Sequence, residues 1–127
     1  MPVKLFIADR SNLIREWLKG SLKQFSWLEI VGTTDDAGQP VEAVRRLRPH
    51  VAILDIEGMN GNGIKELRQI KAELSIPVMI VFANRPGDQY RWRCVEAGAD
   101  YFFDKATEHA ELLRTLKELR RESERSA

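Results

Sequence analysis

Short apolar runs alternate along the chain with longer segments in which apolar residues recur every three or four positions. The first, third and fourth runs are nearly continuous in aliphatic and aromatic residues, which is typical of strands covered on both faces. In chain order the runs are VKLFIA from Val3, LEIVGT from Leu28, VAILD from Val51, PVMIVF from Pro77 and DYFF from Asp100. The pattern predicts five strands.

The segments between the runs have the period of amphipathic helices. Ser11 is a suitable N-cap for the first helix, Gly98 is a suitable C-cap for the fourth, and the fifth is expected to start at Thr107. The polar residues 120–127 are expected to be the frayed end of the fifth helix. The apolar stripes are, in chain order, Ile14, Trp17, Leu18, Leu22 and Phe25; Val41, Val44 and Leu47; Ile64, Leu67, Ile70 and Leu74; Tyr90, Cys94, Val95 and Ala97; and Leu112, Leu113, Leu116 and Leu119.

A strand followed by a helix, five times over, requires a parallel sheet, because parallel neighbours need crossover connections. Right-handed crossovers then place helices on both faces of the sheet, which gives a doubly wound α/β domain. A chain of 127 residues without linkers or repeats has the size of one domain. Residues 1–127 are therefore predicted to form a single domain with no output domain.

Composition and charge exclude several classes of protein. Twenty Lys and Arg against nineteen Asp and Glu leave a net charge of +1, which gives no basic surface for nucleic acid. The single Cys94 excludes an internal disulfide and fits a reducing compartment, and it is expected to be a buried small residue; His50 and His109 are expected at the surface. The apolar stretch from Val3 is too short to span a membrane. We expect a cytoplasmic protein that binds neither nucleic acid nor a membrane.

The ends of the predicted strands carry the candidate chemistry, because ligands of such sheets bind outside the carboxyl ends of the strands. The residues there are Asp9 and Arg10; Asp55; Phe82, Ala83 and Asn84; and Asp104 and Lys105. An isolated aspartate in such a place is most simply a solvated strand end or a helix cap. Asp55 is a stronger candidate, since it follows the most evenly apolar run and the Gly-rich EGMNGNG after it leaves the carboxylate uncovered.

Two nucleotide-binding alternatives fail on spacing. GMNGNGIK resembles a phosphate-binding P-loop, but that motif needs a lysine directly after its last glycine, and here Ile64 precedes Lys65. GNG lacks the third glycine of a dinucleotide-binding loop and follows the third strand instead of the first.

Taken together, the sequence resembles a receiver domain of the bacterial response regulators over residues 3 to about 121. The resemblance rests on Asp9 after the first run, RPHVAILD leading to Asp55, Gly63 eight residues later, IPVMIVF, and EAGADYFFDK ending at Lys105. It implies a flavodoxin-like, CheY-like fold with five helices and five strands in the order 2-1-3-4-5.

The resemblance also implies a function. Asp55 would accept a phosphoryl group from a histidine kinase or phosphotransfer protein, Lys105 would pair with the phosphoryl oxygens, and a cluster of acids would hold Mg²⁺. Attack of a carboxylate on a phosphoryl group brings two anions together, so cations must neutralise the developing charge. We therefore expect a stand-alone receiver in a two-component phosphorelay, not an enzyme, that passes its signal to a downstream protein; whether it also forms a homodimer stays open.

Three positions depart from the family pattern. Arg10 stands where a second metal-binding acid is usual, Phe82 stands where a Ser or Thr is usual, and Gly58–Met59 replaces a common Met-Pro pair. The last change concerns mainly loop geometry, whereas the first two remove chemical groups.

Arg10 suggests an altered metal site. Asp9 and Asp55 contribute −2 and Arg10 and Lys105 contribute +2, so the pocket would be neutral without a metal. We hypothesise that the Arg10 guanidinium turns onto Asp9, Asp55 or both, so that Mg²⁺ held by these acids is weak or absent. In the alternative, Arg10 points to solvent and pairs with Glu57 or with nothing, and Glu57 supplies an oxygen ligand for a weak metal.

The switch positions of the family are Phe82, Ala83 and Phe102 in this chain. Phe82 has no hydrogen-bond donor, so the phosphate-driven switch lacks its usual contact. Its ring is expected to pack in the core and to fill the space into which Phe102 would otherwise swing. Trp17 and Trp27 are expected to be packing residues, while Trp92, beside Arg91 and Arg93, is a candidate partner surface.

Three functions then compete. The first is a receiver that accepts phosphate on Asp55, and the second is a phosphorylation-independent pseudo-receiver that acts as a protein-binding module. The third, a flavodoxin-like flavin binder, is disfavoured because Asp9 would repel a flavin phosphate and the loop after the first strand is not rich in hydroxyl and amide groups.

Overall fold

The structure is a computed structural model that describes residues 2–35, 40–56, 63–75, 77–84 and 87–126. Strands and helices alternate along these residues, as the apolar pattern predicts. The elements are β1 (Val3–Ala8), α1 (Asn12–Leu22), β2 (Leu28–Thr34), α2 (Pro40–Leu47), β3 (Val51–Leu54), α3 (Gly63–Glu73), β4 (Val78–Ala83), α4 (Asp88–Ala97), β5 (Tyr101–Asp104) and α5 (His109–Ser126). Within the described ranges, no helix has the length and apolar character needed to cross a membrane.

The five strands form one parallel sheet in the order β2-β1-β3-β4-β5, which confirms the predicted topology. Single hydrogen bonds continue the ladders past the strand ends. Asp55 donates its backbone N–H to Ala8 at 2.9 Å, and Lys105 donates its own to Ala83 at 3.0 Å. These bonds fix the backbone of Asp55 and Lys105 at the carboxyl edge of the sheet.

Each face of the sheet buries its own hydrophobic cluster. One cluster joins the sheet to α1 and α5 and includes Ile7, Ile53 and Phe82. The other joins it to α2, α3 and α4 and includes Leu54 and Phe102. Because successive side chains of a strand point to opposite faces, neighbouring residues of one strand belong to different clusters.

Local chemistry explains the ends of several elements. The Ser11 hydroxyl accepts the Ile14 N–H at 3.2 Å, which confirms the predicted N-cap of α1. Gly98 ends α4 with a φ of +122°, a conformation that glycine adopts without strain. A Cβ on Gly63 would lie 2.4 Å from the Ile56 carbonyl oxygen, so the close approach of the β3 end to α3 requires glycine there.

The last helix and one apolar position differ from the sequence expectations. Residues 104–107 form a turn in which Asp104 accepts three N–H groups, from Ala106, Thr107 and Glu108, so α5 starts at His109 rather than at Thr107. The helix continues to Ser126, so the polar tail expected to be frayed is helical. Val95, placed in the buried stripe of α4 by its spacing, is 51% exposed.

Candidate functional site

Two acids and a lysine meet at the carboxyl edge of the sheet. The ammonium Nζ of Lys105 lies 2.7 Å from Oδ2 of Asp9 and 2.7 Å from Oδ2 of Asp55. The side chains of Asp9 and Lys105 are 3% and 6% exposed, whereas that of Asp55 is 12% exposed. The lysine therefore bridges a buried carboxylate and one that lies nearer to solvent.

Asp9 is fixed from several directions. Its Oδ1 accepts the backbone N–H of Ser11 at 2.8 Å, and its backbone carbonyl accepts the Arg15 guanidinium at 2.5 Å. Arg15 also donates to the Asn12 side chain at 3.2 Å. The sequence reasoning missed Arg15. A cation near the N-terminus of a helix interacts unfavourably with the helix dipole. The position of Arg15 there was the available signal that a nearby acceptor binds its guanidinium.

Burial raises the pKa of the Asp9 carboxyl above its ordinary value of 3.8, although the hydrogen bonds from Lys105 and Ser11 act in the opposite direction. A raised pKa means that the folded state binds the proton more tightly than the unfolded chain does. Ionised Asp9 therefore lowers the stability of the fold at neutral pH, and protonation on acidification removes that effect.

The orientation proposed for Arg10 is wrong. Arg10 is exposed, and within the described ranges its guanidinium forms no ion pair with Asp9 or Asp55. Lys105 already occupies the position between the two acids, and a second buried cation would have to lose its hydration. Asp9 and Asp55 contribute −2 and Lys105 contributes +1, so these three groups carry a net charge of −1 and not zero. The alternative in which Arg10 faces solvent is the one observed.

Glu57, the expected partner of that outward orientation, and Gly58 and Met59 lie outside the described residues. Among the described residues, no group of three His, Cys, Asp or Glu side chains is placed to hold a metal ion. Within the described part of the chain, Asp9 and Asp55 supply carboxylate oxygens at this edge of the sheet. Such oxygens are the ligands that Mg²⁺ prefers, and Mg²⁺ commonly uses one or two carboxylates together with waters. These two carboxylates thus fit Mg²⁺, which would share their oxygens with Lys105.

Phe82 is fully buried in the core, as expected. Its ring lies 6.4 Å from that of Trp17 and 5.8 Å from that of His109, on the α1 and α5 face of the sheet. Phe102 lies on the opposite face, edge-on to Tyr90 at 5.9 Å. The two rings therefore belong to different clusters, because the side chains of β4 and β5 alternate between the two faces. The expectation that Phe82 fills the space into which Phe102 would swing stays a prediction.

The turn between β5 and α5 contains further contacts that the sequence reasoning missed. Oε1 of Glu108 accepts the Asp104 N–H at 2.9 Å and the Arg91 guanidinium at 2.9 Å. Arg91 also donates to the Phe102 carbonyl at 3.1 Å and lies over the Phe102 ring. Glu108 and Arg91 are 17 positions apart in the chain, so no local pattern indicates the pair.

The remaining candidate residues divide between packing and surface. Cys94 is fully buried, as expected, and Ala83 is also fully buried. Trp27 packs on Phe25 with ring centroids 5.1 Å apart. Trp92 is 64% exposed on α4, where it lies close in the helix to the exposed Val95.

Two histidines were expected at the surface, but only one of them is fully exposed. His50 is exposed and accepts the Lys4 N–H at 2.9 Å. The ring of His109 is half-buried and lies 4.4 Å from that of Trp17. The expectation is confirmed for His50 and wrong for His109. The sequence around His109 is polar, and its aromatic neighbours Trp17 and Phe82 come from other elements, so no local pattern indicates its burial.

The raised pKa of Asp9 leads to a testable result. Asp9→Asn is expected to increase the free energy of unfolding at pH 7 by about 1 kcal/mol, because it removes the cost of burying a charged carboxylate while Lys105 keeps Asp55 as its partner. The gain should shrink as the pH falls through the raised pKa and be smallest below 3.8, where the wild-type carboxyl is neutral in both states. Urea unfolding at several pH values measures both effects.

The exposed Glu29 on β2 provides the control, since Glu29→Gln should change stability little at any of these pH values. A wild-type protein that is more stable than Asp9→Asn at pH 7 would contradict the burial argument.

Known proteins resemble this chain in sequence and in fold. The chain matches the family model for the response regulator receiver domain over residues 5–117. A protein-glutamate methylesterase/protein-glutamine glutaminase from Geobacter metallireducens is 35% identical over 99 residues, covering 76% of this chain and 28% of that protein. A second such protein, from Saccharophagus degradans, is 34% identical over 112 residues, covering 87% of this chain and 32% of that protein. The chain thus spans about a third of the length of these relatives.

Solved structures agree on the fold. The receiver domain of RcsB from Salmonella enterica, determined with phosphomimetic BeF3⁻, matches with a TM-score of 0.85 at 21% identity, over 95% of this chain and 90% of that one. The response regulator domain of CheB from Thermotoga maritima matches with a TM-score of 0.81 at 23% identity, over 93% and 96% of the two chains. The chain belongs to the response regulator receiver domain family.

Proposed function

We propose that this domain accepts a phosphoryl group on Asp55 in a two-component phosphorelay and does so with an altered metal site. The observation that supports the proposal most directly is the 2.7 Å contact between Lys105 and Asp55 at the carboxyl edge of the sheet. It provides a carboxylate nucleophile together with a cation that can neutralise phosphoryl oxygens. The donor would be a histidine kinase or a phosphotransfer protein, and the recipient of the signal a downstream protein.

In this reaction an oxygen of Asp55 forms a bond to phosphorus while the P–N bond of a phosphohistidine breaks and its electron pair stays on the imidazole. Lys105 would release Asp55 and pair with the phosphoryl oxygens, while it retains Asp9. A bound Mg²⁺, held by Asp9 and Asp55, would neutralise further phosphoryl charge. With Arg10 turned inward the site would be neutral, whereas Asp9, Asp55 and Lys105 together carry a net charge of −1. The observed arrangement therefore leaves room for one more positive charge at the site.

A second function is favoured by Phe82. The Phe82 ring has no hydrogen-bond donor, so a phosphoryl group on Asp55 finds no hydroxyl there with which to start the phosphate-driven switch of the family. The ring also lies on the face of the sheet opposite to Phe102. The domain would then act as a phosphorylation-independent protein-binding module. In either case we assign the partner surface to α4 around Trp92, because large exposed aromatic side chains are effective anchors of interfaces.

Intact-mass measurement after incubation with a small phosphodonor, with and without Mg²⁺, tests the first function. We expect one added phosphoryl group on the wild-type protein and none on Asp55→Asn. Arg10→Asp, which restores an acid, should make the reaction depend on Mg²⁺ at concentrations about tenfold lower, since each added carboxylate strengthens cation binding.

An unchanged mass under all conditions, in a folded protein that still captures a partner, would contradict phosphoryl acceptance and support the binding module. Loss of that capture in Trp92→Ala, without loss of stability, would assign it to the α4 surface.

A further inference from the structure

The turn that carries Lys105 is held from both faces of the sheet. On the α4 face, Glu108 joins the Asp104 backbone to Arg91. On the α1 face, the His109 ring donates through Nε2 to the backbone carbonyl of Lys105. The His109 contact is made to the backbone of Lys105, the residue whose ammonium lies between Asp9 and Asp55.

The orientation of the His109 ring is set by other elements. Its centroid lies 4.4 Å from Trp17 on α1 and 5.8 Å from Phe82 on β4, and the three rings pack against one another. An imidazole has only two side-chain torsions, so two aromatic neighbours are sufficient to fix the direction of Nε2. The donor is therefore aimed at the turn by one residue of α1 and one of β4.

We propose that His109 is a positioning residue that holds the Lys105 backbone so that the ammonium lies between Asp9 and Asp55. Lys105 has a long, flexible side chain, and where its Nζ can reach depends on where its Cα is held. The Nε2 contact fixes the peptide that follows that Cα, while the Ala83 carbonyl fixes the N–H that precedes it. The part of the inference that concerns phosphoryl transfer rests on the proposed function, and the part that concerns Lys105 geometry does not.

Two substitutions separate the donor from the ring. His109→Gln keeps an N–H donor at a similar distance from the backbone, and His109→Phe keeps an aromatic ring but has no donor. His50→Gln is the matched control, because His50 contacts Lys4 at the amino-terminal end of the sheet. If His109→Phe does not fold, His109→Met provides an unbranched apolar side chain without a donor.

The readout is the ε-ammonium signal of Lys105 in a proton–nitrogen NMR spectrum, assigned by its loss in Lys105→Arg. An ammonium held by two carboxylates exchanges its protons slowly enough to be seen, and an unrestrained one does not. We expect the signal to persist in the wild type, in His50→Gln and in His109→Gln, and to be lost in His109→Phe. Persistence in a folded His109→Phe, or loss in His109→Gln as well as in His109→Phe, would overturn the inference.

Phosphorylation supplies the second readout. The rate with a small phosphodonor should fall about tenfold in His109→Phe and less than twofold in His109→Gln, because misplacement of a charge-stabilising group slows the chemical step. If the wild-type protein is never phosphorylated, the proposed function fails while the ammonium signal still decides the role of His109. If the wild type is phosphorylated and His109→Phe reacts equally fast with an unchanged Lys105 signal, the positioning role fails alone.

Discussion

Replacement of Phe82 with alanine is expected to lower the free energy of unfolding by about 4 kcal/mol. The side chain is fully buried and packs against Trp17 and His109, so its removal leaves a cavity between β4 and the helices of that face. The cost combines the loss of buried apolar surface with the loss of contacts around the cavity. Urea unfolding monitored by circular dichroism measures the change as a shift in midpoint at constant slope.

Phe82→Leu is the matched control, because it keeps most of the apolar volume and should cost about 1 kcal/mol. A loss below 1 kcal/mol in Phe82→Ala would show that the ring is not a packing element of the core. The family-like change Phe82→Ser should be at least as destabilising as Phe82→Ala, since it creates the same cavity and adds a hydroxyl among apolar neighbours. A functional switch is therefore not expected to be restored by this single change.

Replacement of Lys105 with methionine is expected to lower the free energy of unfolding at pH 7 by about 3 kcal/mol, the amount typical of breaking a buried ion pair from one side. The ammonium contacts Asp9 and Asp55 at 2.7 Å each, so its removal leaves two carboxylates facing each other without a cation. The hydrogen bond and the charge of Lys105 both hold down the pKa of Asp9, and without them this pKa should rise further.

The pH dependence of that variant follows from the sign of the shift. A carboxyl with a raised pKa destabilises the fold above that pKa and ceases to do so as the pH falls through it. The difference between wild type and Lys105→Met should therefore decrease on acidification. The double variant Lys105→Met/Asp9→Asn should recover more than half of the loss at pH 7, since it removes the repulsion together with the cation.

Equal stability of wild type and Lys105→Met at pH 7 would contradict the buried bridge. A loss that does not change between pH 7 and pH 4 would show that packing of the lysine stem, and not its charge, is responsible.

The fold was accessible from the sequence because each of its signals is local. Apolar runs of four to six residues and stripes with helical period identify the elements, and the need of parallel strands for crossovers converts their order into a doubly wound sheet. Ser11 and Gly98 each act through backbone atoms within four residues, so their capping roles could be predicted. The start of α5 could not be placed, since Asp104 and Glu108 together build a turn that competes with the first helical turn.

The candidate site was accessible only in part. That Asp9, Asp55 and Lys105 meet follows from the sheet edge, because the carboxyl ends of neighbouring parallel strands lie side by side. The orientation of the Arg10 side chain could not be predicted, because a guanidinium can face either the two acids or water. Which of the two it does depends on whether another cation already lies between the acids. Lys105, nearly a hundred positions away in the chain, is the cation that lies there.

The sequence by itself determined the order of the elements, the α/β class and the identity of the three charged groups at the sheet edge, since these depend on periodicity and on strand ends. The tertiary structure alone decided which cation lies between the acids, which face of the sheet receives the Phe82 ring, and that His109 reaches the turn of Lys105. The physical reason is that burial and hydrogen bonding are set by neighbours from distant parts of the chain, whereas periodicity and capping are set by adjacent residues.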